Sequence, residues 1–296
     1  MKELTVISGK GGTGKTTIVA ALASLAKRPV LADCDVDAAD LHLILKPEIQ
    51  EREDFYGLKL AVKDDELCID CGLCLEHCRF DAIDRGFNII PEACEGCAVC
   101  ELVCPVGAIA MRDRVSGEAY LSQTRFGPMA HARLFTAEVA SGKLVAVVRT
   151  MAKKAAKEQG RDLIIIDGPP GIGCPVIAAI SGVNQVLVVT EPTLSGIHDL
   201  ERVLGVADHF GIPAAVVVNK YDINEENTDR ITEFCSEIGV PMLGRLPYHE
   251  AATKAMIEAK TLVEYGDSPL LRGITQIWKK LEEMLDEGKG SARESG

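Results

Sequence analysis

The sequence lacks what would take it into a membrane or onto a nucleic acid. No uninterrupted apolar stretch approaches the roughly 20 residues that a helix needs to cross a bilayer. The amino terminus, MKELTVISGKGG, runs straight into strand- and loop-like residues, so no secretory leader is expected. Basic residues are in the minority, 32 Lys and Arg against 44 Asp and Glu, for a formal net charge of -12. A nucleic-acid footprint needs concentrated positive charge to displace counterions from phosphates, so no nucleic-acid partner is expected. With 47% hydrophobic and 26% charged residues the chain is not a disordered polymer. These absences predict a soluble, cytoplasmic protein without stable membrane insertion. At 296 residues it stands near the upper limit of one hydrophobic core, about 250–300 residues, which predicts one large domain with an insertion or two modest domains.

Cysteine is what the chain has in plenty. Eight of its 11 cysteines fall between Cys68 and Cys104, while Cys34, Cys174 and Cys235 stand alone. In a small secreted domain such density implies disulfides; in a larger chain that opens on a glycine-rich loop, thiolate–metal chemistry in a reducing compartment is the expectation.

That loop opens the chain. Leu4 to Ser8 reads as a short buried strand, followed by Gly9-Lys10-Gly11-Gly12-Thr13-Gly14-Lys15-Thr16-Thr17 and an apolar helix from Ile18 to Leu25. This is G-x-x-x-x-G-K-[ST] between strand and helix: glycines let backbone N–H groups wrap phosphates, and the helix N-terminus adds positive potential. Lys15 is expected to reach the β and γ phosphates and Thr16 to ligate Mg2+. Further on, Val30 to Ala32 reads as a strand ending in Asp33-Cys34-Asp35-Val36-Asp37, and Leu163 to Asp167 as a continuous apolar strand ending in an acid, the pattern of a strand covered on both faces. Gln185 to Thr190 and Ala214 to Asn219 add two more strands, with helical stretches such as Asp199 to His209 between them. The alternation predicts an α/β fold, a doubly wound, mostly parallel sheet.

Lys10, in the second position of the loop, gives KGGTGKT, which resembles the deviant Walker A of the MinD/ParA family, whose relatives include the nitrogenase iron protein and the scaffold ATPases of iron-sulfur assembly. The resemblance implies an ATP-binding, ATP-hydrolysing P-loop enzyme that dimerises, with Lys10 crossing to the phosphates of the partner subunit. The dimer would be a homodimer or a heterodimer with a related ATPase. By the same resemblance Asp35 in switch I orients the attacking water and shares Mg2+ with Thr16 and Asp167, the Walker B acid, and Asp37 is a weaker second to Asp35. Gly168-Pro169-Pro170-Gly171 stands as switch II. Asn219-Lys220-Tyr221-Asp222 is ambiguous: N-K-x-D reads guanine in GTPases, where the carboxylate does the reading, whereas the resembling family uses the asparagine against adenine. ATP is favoured, with GTP open.

Cys68, Cys71, Cys74 and Cys78 form C-x2-C-x2-C-x3-C, and Cys94, Cys97, Cys100 and Cys104 repeat it 26 residues later, down to Ala82-Ile83 and Ala108-Ile109. Such spacing suits two [4Fe-4S] clusters, each held by three cysteines of one loop and a fourth from the other. The expected sets are Cys68, Cys71, Cys74 with Cys104, and Cys94, Cys97, Cys100 with Cys78. Pro105 follows the last cysteine as in bacterial ferredoxins, while Arg79 stands where the first repeat would have its proline. Zinc, which uses separated ligand pairs, is the competing metal. The segment resembles a two-cluster, small α+β ferredoxin-like domain inserted into the ATPase. The expected organisation is P-loop domain 1–57, insertion 58–116, P-loop domain 117–287 and a disordered tail 288–296. Residues 64–116 carry 11 acidic and 4 basic side chains, a net of -7, which suits a basic redox partner and equally suits plain solubility.

Bound ATP or ADP, Mg2+ and two clusters then imply a redox-coupled ATPase acting in electron transfer or metal-cofactor assembly, with a redox or cofactor partner protein. The alternatives are a MinD/ParA-like spatial organiser or scaffold with structural or redox-sensing clusters, and a ferredoxin that binds nucleotide as a regulator. His131 is expected to be a packed or capping histidine, and Cys34, Cys174 and Cys235 small hydrophobes. Ile274, Ile277, Trp278, Leu281, Met284 and Leu285 have helical spacing that also fits a membrane-binding tail, but a polar face mixing Lys279 and Lys280 with four acids favours core packing.

Overall fold

The computed structural model describes residues 1–135 and 141–287; the tail 288–296, expected to be disordered, lies outside the described residues. Among the described residues nine strands form one sheet: β1 (Lys2–Ser8), β2 (Val30–Asp33), β3 (Glu48–Lys63), β4 (Ile109–Gln123), β5 (Pro128–Leu134), β6 (Leu163–Pro170), β7 (Gln185–Thr190), β8 (Ala214–Asn219) and β9 (Met242–Leu246). Their order is β3-β4-β5-β2-β6-β1-β7-β8-β9. All neighbours from β5 to β9 pair in parallel, and β4 alone runs against the rest.

The central strands are apolar throughout because both their faces are covered. On β6, Ile164 and Ile166 face one layer, built on the helices Ser141–Glu158, Cys174–Ile180 and Leu194–His209, while Ile165 faces the other. That second layer is built on the helices Lys15–Leu25, Ala251–Ile257 and Pro269–Glu287. Ile274, Ile277, Trp278, Leu281 and Leu285 of the last helix are buried in it and Met284 packs on its edge, so this amphipathic face is core. Among the described residues no helix is long and apolar enough to cross a membrane. Polar side chains gather where the parallel strands end: Ser8, Asp33, Asp167, Thr190 and Asn219 are all buried near the carboxyl ends, the edge along which such sheets bind ligands.

β3 and β4 depart from this pattern. They run for 16 and 15 residues, against a usual five or six or so, and β4 pairs with β5 only over Gly117–Gln123. Beyond that point the two strands pair with each other alone, out to Lys63 opposite Ile109, as an antiparallel arm whose register shifts at Ile49/Glu51, Phe55/Tyr56 and Tyr56/Lys59. Residues 64–108 sit at the arm's far end, with two five-residue helices, Leu73–His77 and Val99–Val103, and an isolated bridge between Ile83 and Ile89. The expected boundaries at 58 and 116 fall inside these strands, which root in the main sheet.

Candidate functional site

Gly12 (φ +77°) and Gly14 (φ +90°) take the left-handed conformation that lets the loop after β1 turn its backbone inward. A Cβ on Gly14 would stand 2.5 Å from Asn219 Nδ2, which donates to the Thr13 carbonyl at 2.8 Å. The end of β8 is thereby stitched to the loop. Gly11, Gly12, Gly14, Lys15, Thr16 and Thr17 line a cavity of about 410 Å³ with Asp35, Asp40, Pro170, Asn219 and Lys220. Gly9 and Thr13 belong to the loop but not to this lining: Gly9 packs against Asp199, and Thr13 is buried.

Three carboxylates meet at the strand ends. Asp33 and Asp167 are register partners on β2 and β6 and both are buried. Burial drives the Asp167 carboxyl up to about 7 against the pull of the buried Lys15 ammonium. Asp33 also lies well above the usual range, through burial and then the Asp167 charge. Asp33 accepts the N–H groups of Asp35 (3.3 Å) and Leu41 (3.2 Å) and so ties down both ends of the loop between them. Burial raises Asp35, and Lys15 opposes it. Among the described residues, neither carboxylate oxygen of Asp167 nor Thr13 Oγ1 meets a partner in hydrogen-bonding geometry, although the nearby Thr16 hydroxyl also pulls the Asp167 carboxyl down. Orphaned buried oxygens beside a lysine and a phosphate-type loop fit a hydrated divalent cation with its nucleotide. Asp37 is exposed and does not line the cavity, whereas Asp35 and Asp40 of the same loop do.

Lys10 does not point into the cavity. Its ammonium contacts Glu191 at 3.2 Å, Thr193 Oγ1 at 3.2 Å and Ser195 Oγ at 3.4 Å. Lys220 pairs with the same carboxylate and donates to the Gly12 carbonyl at 3.2 Å. The two lysines hold Glu191 below its ordinary range although burial pushes it the other way. Asp222 lies outside the cavity lining, and its carboxylate accepts the Tyr248 N–H at 2.7 Å. The rest of the wall was given no part in the site by the sequence. Pro247, Tyr248, His249, Ala252, Thr253, Met256, Leu270 and Ile274 form a largely apolar part of the lining, and of these only Ile274 was singled out in the sequence, for its helical spacing.

At the far end of the arm the eight clustered cysteines surround two cavities. Cys68, Cys71, Cys74 and Cys104 line one, and Cys78, Cys94, Cys97 and Cys100 the other. The 26-residue repeat extends to the backbone. Positive φ recurs at Asp70 and Gly96, Gly72 and Ala98, Asp81 and Gly107, and the helix Leu73–His77 has its counterpart in Val99–Val103. Three of those six positions carry side chains that resist this conformation, so the loops keep their shape at a local cost. Burial raises the Cys74 and Cys100 thiols. Burial acts on Cys104 in the same sense, but backbone N–H groups of Ala108, Val106, Ile109 and Gly107 together bring it below the usual value, Ala108 N standing 3.2 Å from Sγ. Among the described residues no three Cys, His, Asp or Glu side chains converge as a site for a single ion; the cysteines stand around each cavity.

Of the lone cysteines, Cys34 and Cys235 are buried, but Cys174 is exposed at the start of its helix, against the expectation of a small core residue, because the helix buries Val176, Ala179 and Ile180 instead. His131 stacks on Tyr120 with ring centroids 5.0 Å apart and meets Ser122 Oγ at 2.8 Å.

Residues 4–263 match the CobQ/CobB/MinD/ParA nucleotide binding domain, and the chain belongs to that family. An uncharacterized protein of Methanocaldococcus jannaschii is 34% identical over 287 residues, covering 96% of this chain and 97% of its own. An iron-sulfur cluster carrier protein of Pyrococcus abyssi is 24% identical over 310 residues, covering 98% of this chain and 89% of its own. The fold is similar to that of the septum site-determining protein MinD of Pyrococcus horikoshii, complexed with Mg-ADP, at a TM-score of 0.60 and 19% identity, over 97% of this chain and 98% of that one.

Proposed function

We propose that this member of the CobQ/CobB/MinD/ParA family is a Mg2+-dependent ATPase that couples its nucleotide cycle to two [4Fe-4S] clusters, acting in electron transfer or in metal-cofactor assembly. The observation that carries this reading is the placement of two four-cysteine cavities on an arm continuous with the nucleotide-binding sheet, a short way along the chain from Asp35 and Asp40. Four cysteines around each cavity, drawn from two C-x2-C-x2-C-x3-C runs that cross, suit a polynuclear group better than zinc, which uses separated ligand pairs. A relative named as an iron-sulfur cluster carrier supports the same direction.

In the ATPase half, the backbone of Gly11, Gly12 and Gly14 cradles phosphate and Lys15 neutralises its charge. Thr16, Asp35 and Asp167 are the residues that would hold Mg2+, and Asp35 places the attacking water; the chemistry asks for positioning and charge neutralisation. Asn219 and the apolar wall from Pro247 to Ile274 receive the base, and the engagement of Asp222 with Tyr248 favours adenine over guanine. Lys10 leaves Glu191 to reach the phosphates of a second subunit in a homodimer or a heterodimer with a related ATPase. In the arm, the two cysteine sets are the residues that would hold the clusters as thiolates, and the N–H groups aimed at Cys104 stabilise its negative charge. When bound, the clusters supply one-electron chemistry at low potential.

Anaerobic ATPase assays and cluster reduction titrations, with and without Mg-ATP, test the reading. Lys15→Ala should abolish turnover and any nucleotide effect on the clusters, whereas Lys10→Ala should block dimerisation while sparing nucleotide binding by the single subunit. Cluster potentials and electron-transfer rates indifferent to nucleotide would leave a spatial organiser or scaffold whose clusters are structural or redox-sensing.

A further inference from the structure

The return from β4 into β5 is a tight turn, Thr124–Gly127. Thr124 Oγ1 closes it by donating to the Gly127 carbonyl at 2.8 Å and accepting the N–H groups of Phe126 and Gly127, both at 3.2 Å. A Cβ on Gly127 would collide with the Pro29 carbonyl, so the turn is pinned against the start of β2. Its second residue, Arg125, stands at the root of the arm and reaches three separate segments.

The first is the short helix Leu41–Leu45. Arg125 donates to the Leu45 carbonyl at 2.7 Å and to the Ile44 carbonyl at 3.1 Å. That helix follows the cavity-lining Asp40, and the N–H of its first residue is held by Asp33 of the buried carboxylate pair. After it come Lys46, in the left-handed conformation at φ +46°, then Pro47, then β3. The joint between loop and arm is therefore stiff. The second segment is the carbonyl of Ala259, at 3.3 Å, just beyond the helix whose Ala252, Thr253 and Met256 line the nucleotide cavity. The third is Glu264, which Arg125 grips with two parallel bonds, Nε to Oε1 at 2.5 Å and Nη2 to Oε2 at 2.7 Å. Glu264 also caps Thr261, whose hydroxyl takes a hydrogen bond at 2.8 Å from Ser24 on the P-loop helix.

We propose that Arg125 is a positioning residue that makes the cysteine-bearing arm respond to the occupant of the nucleotide cavity, by clasping the arm's root, the helix after the Asp35–Asp40 loop and the base-side wall into one unit. The claim rests on the nucleotide-binding reading above and adds the means by which it is felt at the arm. A lone exposed ion pair would be too weak for this task. A bidentate fork that also satisfies three carbonyls is not, and its planar geometry is one that lysine cannot supply. The grip on Arg125 holds Glu264 down at about 2.

Hydrogen exchange of the full, anaerobically isolated chain, with and without Mg2+ and AMPPNP, tests the proposal. In the wild type, the analogue should slow exchange in the loop 9–17 and also change it in the arm strands 48–63 and 109–123. Arg125→Ala, or Arg125→Lys where the alanine variant melts early, should keep the response at 9–17 and lose it in the arm; Glu264→Gln should weaken it. An arm response that persists in a folded Arg125 variant overturns the clasp, as does a wild-type arm that ignores the analogue while the loop responds. No response at 9–17 in the wild type overturns instead the nucleotide-binding reading on which the clasp depends.

Discussion

Glu191 sits between two lysines with opposing duties, Lys220 stitched to the loop and Lys10 turned away from the cavity. A partly exposed ion pair contributes about 0.2–1 kcal/mol, so releasing Lys10 by Glu191→Gln should tighten nucleotide-dependent dimerisation by up to about fivefold in sedimentation equilibrium. Weaker dimerisation would mean that Glu191 serves the assembled state instead. His131 offers a test in pH. Burial, and then the charge of His42, lower it from 6.5 to about 4. The unfolded chain therefore binds a proton that the folded one refuses. The resulting stability is fully present above pH 6.5 and is lost as pH falls toward 4. Urea unfolding across that window should be flatter for His131→Asn than for the wild type; equal slopes would refute the assignment. Single residues also show how far the sequence could be read. The spacing of the loop pointed to Lys15 and Thr16, and the family resemblance to Asp35; all three line the cavity. Asp33, read only as part of an acidic strand end, and Glu191 were given no role because their importance comes from neighbours brought by β6 and β8, which no local pattern reveals.

Among the elements, the apolar strands of the sheet were legible because covered strands read as unbroken Val, Ile and Leu runs, as in Leu163–Ile166. β3 was not. Its first half, Glu48-Ile49-Gln50-Glu51-Arg52-Glu53-Asp54, is charged because β3 forms the edge of the sheet, where charge guards against stray pairing. The apolar wall of Pro247–Ile274 was illegible for another reason: its residues also read as ordinary amphipathic helices. The cysteine loops were legible in spacing, while their shape rests on backbone conformation. A Cβ on Gly96, at φ +66°, would stand 2.5 Å from the Lys59 carbonyl, whereas one on Gly107, at φ +65°, would meet nothing within 4 Å. Gly96→Ala should thus empty one cavity, taking iron from about eight to about four per chain, while Gly107→Ala costs only the left-handed strain of about 1–2 kcal/mol and keeps its metal. Equal iron in both variants would show that loop shape does not govern loading.

At the scale of the whole molecule, the family accounts for the sheet and the loop, and the departure from a plain nucleotide switch is the arm. Two strands that root beside β5 carry 45 residues, 64–108, outward, with all eight clustered cysteines among them. A chain built in this way carries a nucleotide-binding loop and eight clustered cysteines on one sheet, with the short helix Leu41–Leu45 as the covalent link toward the arm. Iron, acid-labile sulfide and zinc determined on the same anaerobically isolated wild-type protein test that joining most directly. About eight irons and eight sulfides per chain, with no stoichiometric zinc, is the result predicted; far less iron, or zinc in its place, would contradict the account and leave a nucleotide switch with an arm of unassigned purpose.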